Sequence, residues 1–313
     1  MEVIQQYEAI YEQFYKIVEL SHLETIKKLF DVPIRLKDIH LVFKVHQMSK
    51  EGTNFSAKIA EATMMSRSIF SNYLLYAEKM KLIKRYRDEQ SYKYMRVELD
   101  ELGQHVYDQV MTYYRGLYNY LKDNLKTTEL LQTIQTTYII SNLLSDEKPT
   151  FKTNKFQMPK TLDALIKAFD RIFFYMHKLE LSFIKDYELN ASITELHVMT
   201  FIDVLTYHQL NQPKHLSEKS MLHFSTISSM LKSLEKKGYV FRQPNELDKR
   251  IINMNLTKTT TNIVRDFMKL RIEQHQFIQN HLTKKAYTKM VHAYELLQSY
   301  TESYDQIKQF DQL

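Results

Sequence analysis

The sequence predicts a mainly α-helical protein with small two-stranded β hairpins, an α+β fold class. Only 4 glycines and 5 prolines occur in 313 residues, and so few helix-breaking residues favour long, uninterrupted helices. The apolar fraction of 44% is sufficient for a hydrophobic core. Two short segments, each divided by a charged tip, alternate apolar and polar residues as β strands do.

Apolar residues recur at helical spacing along most of the N-terminal half. Helices are predicted at 3–30, 36–48, 56–61, 66–80, 100–124 and 127–144. Pro33 ends the first of them, because proline removes a backbone donor and clashes with the preceding turn. Residues 82–85 and 92–99 predict two strands around the polar tip 87–91.

Residues 145–160 contain two prolines and show no clear period, so they are interpreted as a linker. The order of elements then begins again. Helices are predicted at 161–185, 194–208, from Pro213 onward, 225–237, 258–282 and 284–309, and strands at 239–242 and 251–256.

The stretch Pro213–Thr257 carries the most informative pattern in the chain. A short helix begins at Pro213, whose fixed φ suits a first helical turn. In the next helix, Ile227, Met230, Leu231 and Leu234 form an apolar stripe opposite serines and lysines. Gly238 ends this helix, and a hairpin with a charged tip follows. A short helix, a polar-faced helix and a basic hairpin together predict a winged helix-turn-helix, which places its second helix in a DNA major groove.

The two halves of the chain can be placed in register by a shift of 157 residues, without a gap, from Arg35–Gly103 onto Ser192–Thr260. The shift matches identical residues in both helices and in the hairpin, including His40 with His197, Asn54 with Asn211, Lys79 with Lys236 and Arg85 with Arg242. We therefore interpret the chain as a tandem repeat, with domains at 1–145 and 161–313 and a linker at 146–160.

The positive charge is concentrated in these two hairpin regions. The net charge is +6, yet residues 58–96 alone carry nine Lys and Arg against four Asp and Glu, and residues 214–250 carry eight against four. Basic side chains release counterions when they bind phosphates, so each region is a candidate surface for a nucleic acid. Solvated helix faces are the alternative explanation.

Several other classes of protein are disfavoured by what the sequence lacks. There is no cysteine, which excludes disulfides and thiolate metal sites and fits a reducing cytoplasm. The sequence has no Gly-rich phosphate loop, no HExxH and no metal-spaced His/Cys cluster, so we expect no enzyme, no cofactor and no metal site. The N-terminus is acidic and amphipathic, unlike a signal peptide, and no run of about 18 apolar residues predicts a membrane span.

The segment from Leu234 to Arg242, LEKKGYVFR, followed by Asp248-Lys249-Arg250 and Leu256-Thr257, resembles the MarR family of bacterial regulators. The two-domain build, the high Tyr and Lys content and the absence of Cys and Trp further resemble the tandem members of the staphylococcal Sar group. The MarR-like resemblance covers almost the whole chain.

The resemblance implies two winged helix-turn-helix domains arranged as a pseudo-dimer within one chain, so that a monomer presents two recognition helices roughly 34–36 Å apart to successive major grooves. Double-stranded, A·T-rich promoter DNA is the implied partner. Control of virulence or surface and exoprotein genes is the implied role. A ligand-responsive repressor of phenolic or drug-stress genes and a protein-interaction scaffold are the alternatives. Activation versus repression, the operator, an effector and any further oligomerisation are left open.

The resemblance also implies the residues that contact DNA. In the second domain, Asp248 would hold Arg250 in position to enter the minor groove. The other implied contacts lie on the recognition helix and the hairpin: Ser225, Thr226, Ser228, Ser229, Lys232, Lys236, Arg242 and Lys249. In the first domain they are Arg67, Ser68, Ser71, Asn72, Lys79, Arg85, Arg87, Lys93 and Arg96. Here Ser91 and Lys93 replace the Asp–Arg pair, and Lys81 replaces Gly238, so we expect a different or weaker minor-groove contact and an asymmetric operator.

Overall fold

The computed structural model describes residues 2–12, 30, 34–63, 67–88, 91, 94–144, 161–220, 222–246 and 248–310. Its helices are α1 (Glu2–Ile10), α2 (Leu36–Lys50), α3 (Ser56–Ala62), α4 (Arg67–Lys79), α5 (Glu101–Asn124), α6 (Thr127–Leu144), α7 (Leu162–Asp186), α8 (Ile193–Tyr207), α9 (Pro213–Ser220), α10 (Phe224–Lys236), α11 (Lys258–His281) and α12 (Lys284–Phe310). Its strands are β1 (Ile83–Arg87), β2 (Met95–Leu99), β3 (Val240–Pro244) and β4 (Ile252–Leu256).

The predicted order of helices and hairpins is confirmed from α2 to α12. The strands form two separate antiparallel hairpins, β1–β2 and β3–β4, which we call wing A and wing B. The helix predicted over 3–30 is described only at its start, as α1, and the linker at 146–160 lies outside the described residues.

The chain divides into two compact units that do not follow its order. Unit A comprises Ser21–Asn124 and Ser299–Leu313, and unit B comprises Met1–Leu20 and Leu125–Gln298. Each unit contains one wing and the two helices that precede it. The domain boundaries proposed from the repeat remain a prediction, because compactness and repetition are different properties of a chain.

The core of unit A lies between α2, α3, α4, α5 and wing A. Val42, Ile59, Val97 and Val106 are fully buried there, and complete burial of such a side chain stabilises a fold by roughly 1.5–3 kcal/mol. Helix α5 begins very close to the wing: a Cβ at Gly103 would lie 1.9 Å from the carbonyl oxygen of Leu82. A glycine is therefore required where this helix crosses the start of β1.

The core of unit B is built around α8, which is buried along nearly its whole length. Helices α9 and α11 pack on it, and so does α1. Ile4 and Tyr7 of α1 are buried, and the ring of Tyr11, just after α1, meets the ring of Phe201 edge-on at 5.2 Å. The N-terminal helix is therefore part of the core of unit B.

A buried polar cluster joins α7, α8 and α11 in unit B. Glu180 and Arg271 form an ion pair, with side chains 5% and 2% exposed, and the His197 Nε2 atom lies 2.7 Å from the same carboxylate. Burial alone would raise the pKa of Glu180, but the neighbouring Arg271 and His197 outweigh it and hold that pKa below its ordinary value. The carboxylate is therefore ionised and fixes three helices to one another.

Candidate nucleic-acid interface

Helix α10 in unit B separates an apolar stripe from a polar face. Ile227, Leu231 and Leu234 are buried in the core. The opposite face leaves Ser225, Ser229, Lys232 and Lys236 exposed, with Thr226 and Ser228 partly buried at its edges. The helix is held by its apolar stripe, so its hydroxyls and ammonium groups are presented to solvent on a rigid support.

The turn after α10 directs the chain into wing B. Gly238 adopts φ +75°, and the backbone N–H of Tyr239 donates to the carbonyl of Leu234 at 3.0 Å, as in a helix end closed by a left-handed residue. The Arg242 Nε atom then donates to the Glu235 carboxylate at 3.0 Å. This contact links the first strand of the wing back to the helix.

The C-terminal end of α10 is anchored by one carboxylate of α8. Glu195 accepts from the Lys237 ammonium at 2.7 Å and from the Ser233 hydroxyl at 3.0 Å, and it also caps α8 through the backbone N–H of Ser192. Burial raises the pKa of Glu195, but the hydrogen bonds from Lys237, Ser192 and Ser233 lower it overall. Lys237 is therefore engaged within the fold, whereas Lys236 is not buried and extends outward.

The tip of wing B presents an arginine to solvent. The Asn245 side-chain oxygen accepts from the backbone N–H of Asp248 at 3.2 Å, and the Asp248 carboxylate accepts from the backbone N–H of Arg250 at 3.0 Å. The Arg250 Nε atom lies 3.9 Å from that carboxylate, and the Arg250 side chain is 95% exposed. Asp248 thus fixes the backbone of Arg250 more closely than its guanidinium, which extends from the tip beside the exposed Lys249.

Helix α4 of unit A has the same two-faced construction. Phe70, Tyr73, Leu74 and Ala77 are buried. Ser71, Asn72, Leu75 and Lys79 are exposed on the other face. Arg67 and Ser68 lie in the first turn of α4, and their side chains are outside the described part of the structure.

The turn after α4 keeps its geometry although it lacks a glycine. Lys81 adopts φ +55°, and the backbone N–H of Leu82 donates to the carbonyl of Ala77 at 2.9 Å, which is the bond that Tyr239 makes in unit B. A non-glycine residue in this region costs roughly 1–2 kcal/mol. The substitution noted in the sequence is therefore accommodated as local strain and not as a different turn.

Wing A keeps one of its arginines inside the unit. Arg96 forms an ion pair with Asp88, which is 4% exposed, donates to the Asn54 side-chain oxygen at 2.8 Å, and stacks over the ring of Phe55 at 4.5 Å. Asp88 also accepts from the backbone N–H of Ser91 at 3.0 Å. The guanidinium of Arg96 therefore closes the wing tip.

The remaining basic residues of wing A differ in their surroundings. The Arg85 Nε atom donates to Glu78 at 3.1 Å, as Arg242 does to Glu235 in unit B. Arg87 is exposed at the end of β1. Lys93 lies outside the described residues.

A side-chain to backbone hydrogen bond recurs in the two units at positions related by the shift of 157. The side-chain amide of Asn54 donates to the Val97 carbonyl at 2.9 Å, and that of Asn211 donates to the Met254 carbonyl at 2.7 Å. Both asparagines are buried and tie a wing to the loop before α3 or α9. Sequence reasoning missed this structural role, although the identity of the two residues in the register was the signal for it.

The described residues contain neither a metal-binding cluster nor a membrane-spanning helix. No group of three or more His, Cys, Asp or Glu side chains in this part of the chain is placed to hold a metal ion. Across the same residues, no helix combines the length and the apolar character needed to cross a membrane.

Three solved structures are similar to part of this chain. The structure of FabT from Streptococcus pneumoniae in complex with DNA has 21% identity and a TM-score of 0.41, and it covers 46% of this chain and 99% of that one. A mutant of MepR from S. aureus has 20% identity and a TM-score of 0.32, over 40% of this chain and 89% of its own. A second MepR mutant, bound to an oligodeoxyribonucleotide, has 20% identity and a TM-score of 0.30, over 42% and 90%.

A comparison with curated proteins found no match. The MarR family model matches residues 192–252, which run from the N-cap of α8 to the start of β4. This range contains α10, its anchoring Glu195 and the tip of wing B. Residues 192–252, which fold as three helices, a turn and most of a wing, are therefore similar to the MarR family.

Proposed function

We propose that this protein is a DNA-binding transcriptional regulator of the MarR type. The observation that carries the proposal is the exposed polar face of α10 beside a wing tip whose Arg250 side chain is 95% exposed. A helix with its polar face outward fits a major groove, and an extended arginine next to it fits the adjacent minor groove. The MarR match over the same residues supports this assignment.

Each part of this surface has a distinct role in the proposal. Lys232, Lys236 and Lys249 neutralise phosphates, which contributes affinity without sequence preference. The hydroxyls of Ser225 and Ser229 bind base edges or phosphates. Arg250 enters a narrow, A·T-rich minor groove, where the negative potential is enhanced.

Unit A supplies the second DNA-binding module in this proposal. Its turn after α4, its Arg85–Glu78 contact and its Asn54 anchor match those of unit B at positions related by one constant shift, which supports a tandem repeat. One chain would then act as a pseudo-dimer on two successive major grooves. The operator would be asymmetric, because Arg250 and Lys93 stand at equivalent positions of the two wings.

The likeness in composition and two-domain build to the Sar group supports a narrower proposal. The protein would act in the cytoplasm on A·T-rich promoters of virulence or surface and exoprotein genes. Whether it activates or represses them depends on where the operator lies relative to each promoter, since one binding surface serves both.

Fluorescence anisotropy of the full chain with labelled A·T-rich and G·C-rich duplexes over a series of salt concentrations tests the function. We expect affinity to fall steeply with salt, because phosphate contacts release counterions. Replacing Arg250 with Ala is expected to weaken A·T-rich binding by about 1–3 kcal/mol, and Lys93→Ala by less. Lys284 is an exposed lysine at the start of α12. Lys284→Ala is the matched control and should leave the affinity for both duplexes unchanged.

The absence of duplex binding even at low salt would refute the regulator and favour an interaction scaffold. Equal losses from Arg250→Ala and Lys93→Ala would refute the asymmetry between the wings while leaving DNA binding intact.

A further inference from the structure

Two apolar side chains lie exposed on the helices proposed to enter DNA. Leu75 on α4 is 57% exposed and Phe224 on α10 is 55% exposed, the highest values for large apolar residues in the described part of the chain. A single exposed apolar residue on a protein surface is ordinary. These two are notable because each lies on a helix face that is otherwise polar and is proposed to contact DNA.

Leu75 lies in the middle of the outer face of α4. Ser71 and Asn72 precede it by four and three residues, and Lys79 follows it by four, so all of these side chains lie on one side of the helix. In unit B, the position equivalent to Leu75 is the exposed Lys232. One unit thus places an apolar group where the other places a cation.

At the position of Phe224 the two units differ in the opposite sense. Phe224 is the first residue of α10, and the equivalent position in unit A is Arg67, the first residue of α4. Residues at the N-terminal end of a recognition helix reach base edges. Helix α4 therefore has a cation at its first position and an apolar residue eight positions later, whereas α10 has the apolar residue first and the cation eight positions later.

The major groove contains one apolar group among the four bases, the 5-methyl group of thymine. We propose that Leu75 and Phe224 are specificity-determining residues that contact thymine methyl groups in the two half-sites. This inference rests on the proposed function and adds how sequence is read. Asn72, beside Leu75, has an exposed amide suited to the N6 and N7 atoms of adenine, so the α4 face is matched to A·T pairs.

The positions of the two residues determine where the thymines lie. Leu75 stands eight residues further along its helix than Phe224 does along its own, which corresponds to about 12 Å at the helical rise of 1.5 Å per residue. The thymines contacted in the two half-sites therefore occupy different places relative to each helix. The preferred duplex is not a palindrome.

Replacing thymine with uracil tests the proposal, because it removes only the methyl group. The full chain is first used to enrich a duplex from a random-sequence library. Each thymine of that duplex is then replaced by uracil in turn, and affinity is measured by anisotropy. The minor-groove edges of thymine and uracil are alike, so any contact of Arg250 with the minor groove is not affected by this change.

We expect uracil to reduce the affinity about fourfold at a small set of thymine positions, because each such replacement removes one buried methyl group. Leu75→Ala should abolish the uracil effect in one half-site, and Phe224→Ala should abolish it in the other. Leu75→Lys introduces the residue found at the equivalent position of unit B. It should abolish the uracil effect in the same half-site as Leu75→Ala, and it should steepen the fall of affinity with salt by the amount expected for about one added phosphate contact. Unchanged thermal unfolding would show that these surface variants are folded.

Tolerance of uracil at every position would overturn the inference and leave the DNA-binding proposal standing. The same would follow if either alanine variant weakened binding without changing the uracil effect. If the library yields no enriched duplex and no duplex binds at low salt, the proposed function fails, and this inference fails with it.

Discussion

At the scale of single residues, the two units use arginine in different ways. Arg96 in wing A is bound to Asp88 and Asn54, whereas Arg250 in wing B is 95% exposed. Lys237 is likewise engaged, by Glu195, which lies 42 residues earlier in the chain. A sequence shows where the cations are, but it does not show which of them have a buried partner, because burial depends on how the elements pack.

A buried histidine in unit B makes the stability of the protein sensitive to acid. His275 is 2% exposed, its Nε2 atom lies 2.8 Å from the Tyr287 hydroxyl, and burial lowers its pKa to about 4. The unfolded chain therefore binds a proton that the folded chain excludes between about pH 6.5 and pH 4. The contribution of this histidine to stability is complete above about pH 6.5 and is lost as the pH falls.

We predict that the free energy of unfolding falls by about 2 kcal/mol more between pH 7 and pH 5 in the natural chain than in His275→Gln. Urea denaturation followed by circular dichroism at the two pH values measures this difference. His292→Gln, which replaces an exposed histidine with the same residue, is the control. An identical pH dependence in the natural chain and in His275→Gln would contradict the prediction.

At the scale of elements, the periodicity of the sequence predicted the helices well. The extent of α6 at 127–144 is identical to the prediction, and α2 to α12 otherwise agree within about two residues at each end. The strands of wing A were less well predicted. β1 extends to Arg87, because the backbone N–H of Asp88 donates to the Tyr94 carbonyl at 3.0 Å and closes the tip later than the pattern indicated.

The arginines of the two wings have different surroundings, so their replacement should affect stability differently. Arg96→Ala leaves the buried Asp88 carboxylate without its guanidinium, so we expect the free energy of unfolding to fall by roughly 1.5–3 kcal/mol. Arg250→Ala removes an exposed side chain, and we expect a change within about 0.5 kcal/mol. Denaturation of both variants, beside the DNA affinities proposed above, separates a structural arginine from a binding one.

The reverse pattern would contradict the roles assigned to the two wings. If Arg96→Ala unfolded as the natural chain does and Arg250→Ala were destabilised, the Asp88–Arg96 contact would not hold wing A. Asp88→Asn provides a second check, since it removes the charge of the partner while keeping its shape.

At the scale of the whole molecule, the two consecutive domains inferred from the repeat remain a prediction, and each of the two compact units combines segments from distant parts of the sequence. Residues 1–20 belong to the unit that contains wing B, and residues 299–313 belong to the unit that contains wing A. Helical periodicity identifies the apolar face of α1 but not the helices against which that face packs. Tyr11 and Phe201, whose rings meet at 5.2 Å, are 190 residues apart in the chain.

If one chain is a pseudo-dimer, a single copy should occupy a complete operator. We predict a mass of one chain per duplex in light scattering of the saturated complex, because each unit would supply one recognition helix. Inserting about 5 base pairs between the half-sites should greatly weaken binding, since it turns the second major groove to the opposite side of the duplex. Two chains per operator would refute the pseudo-dimer, and indifference to the insertion would show that only one unit binds.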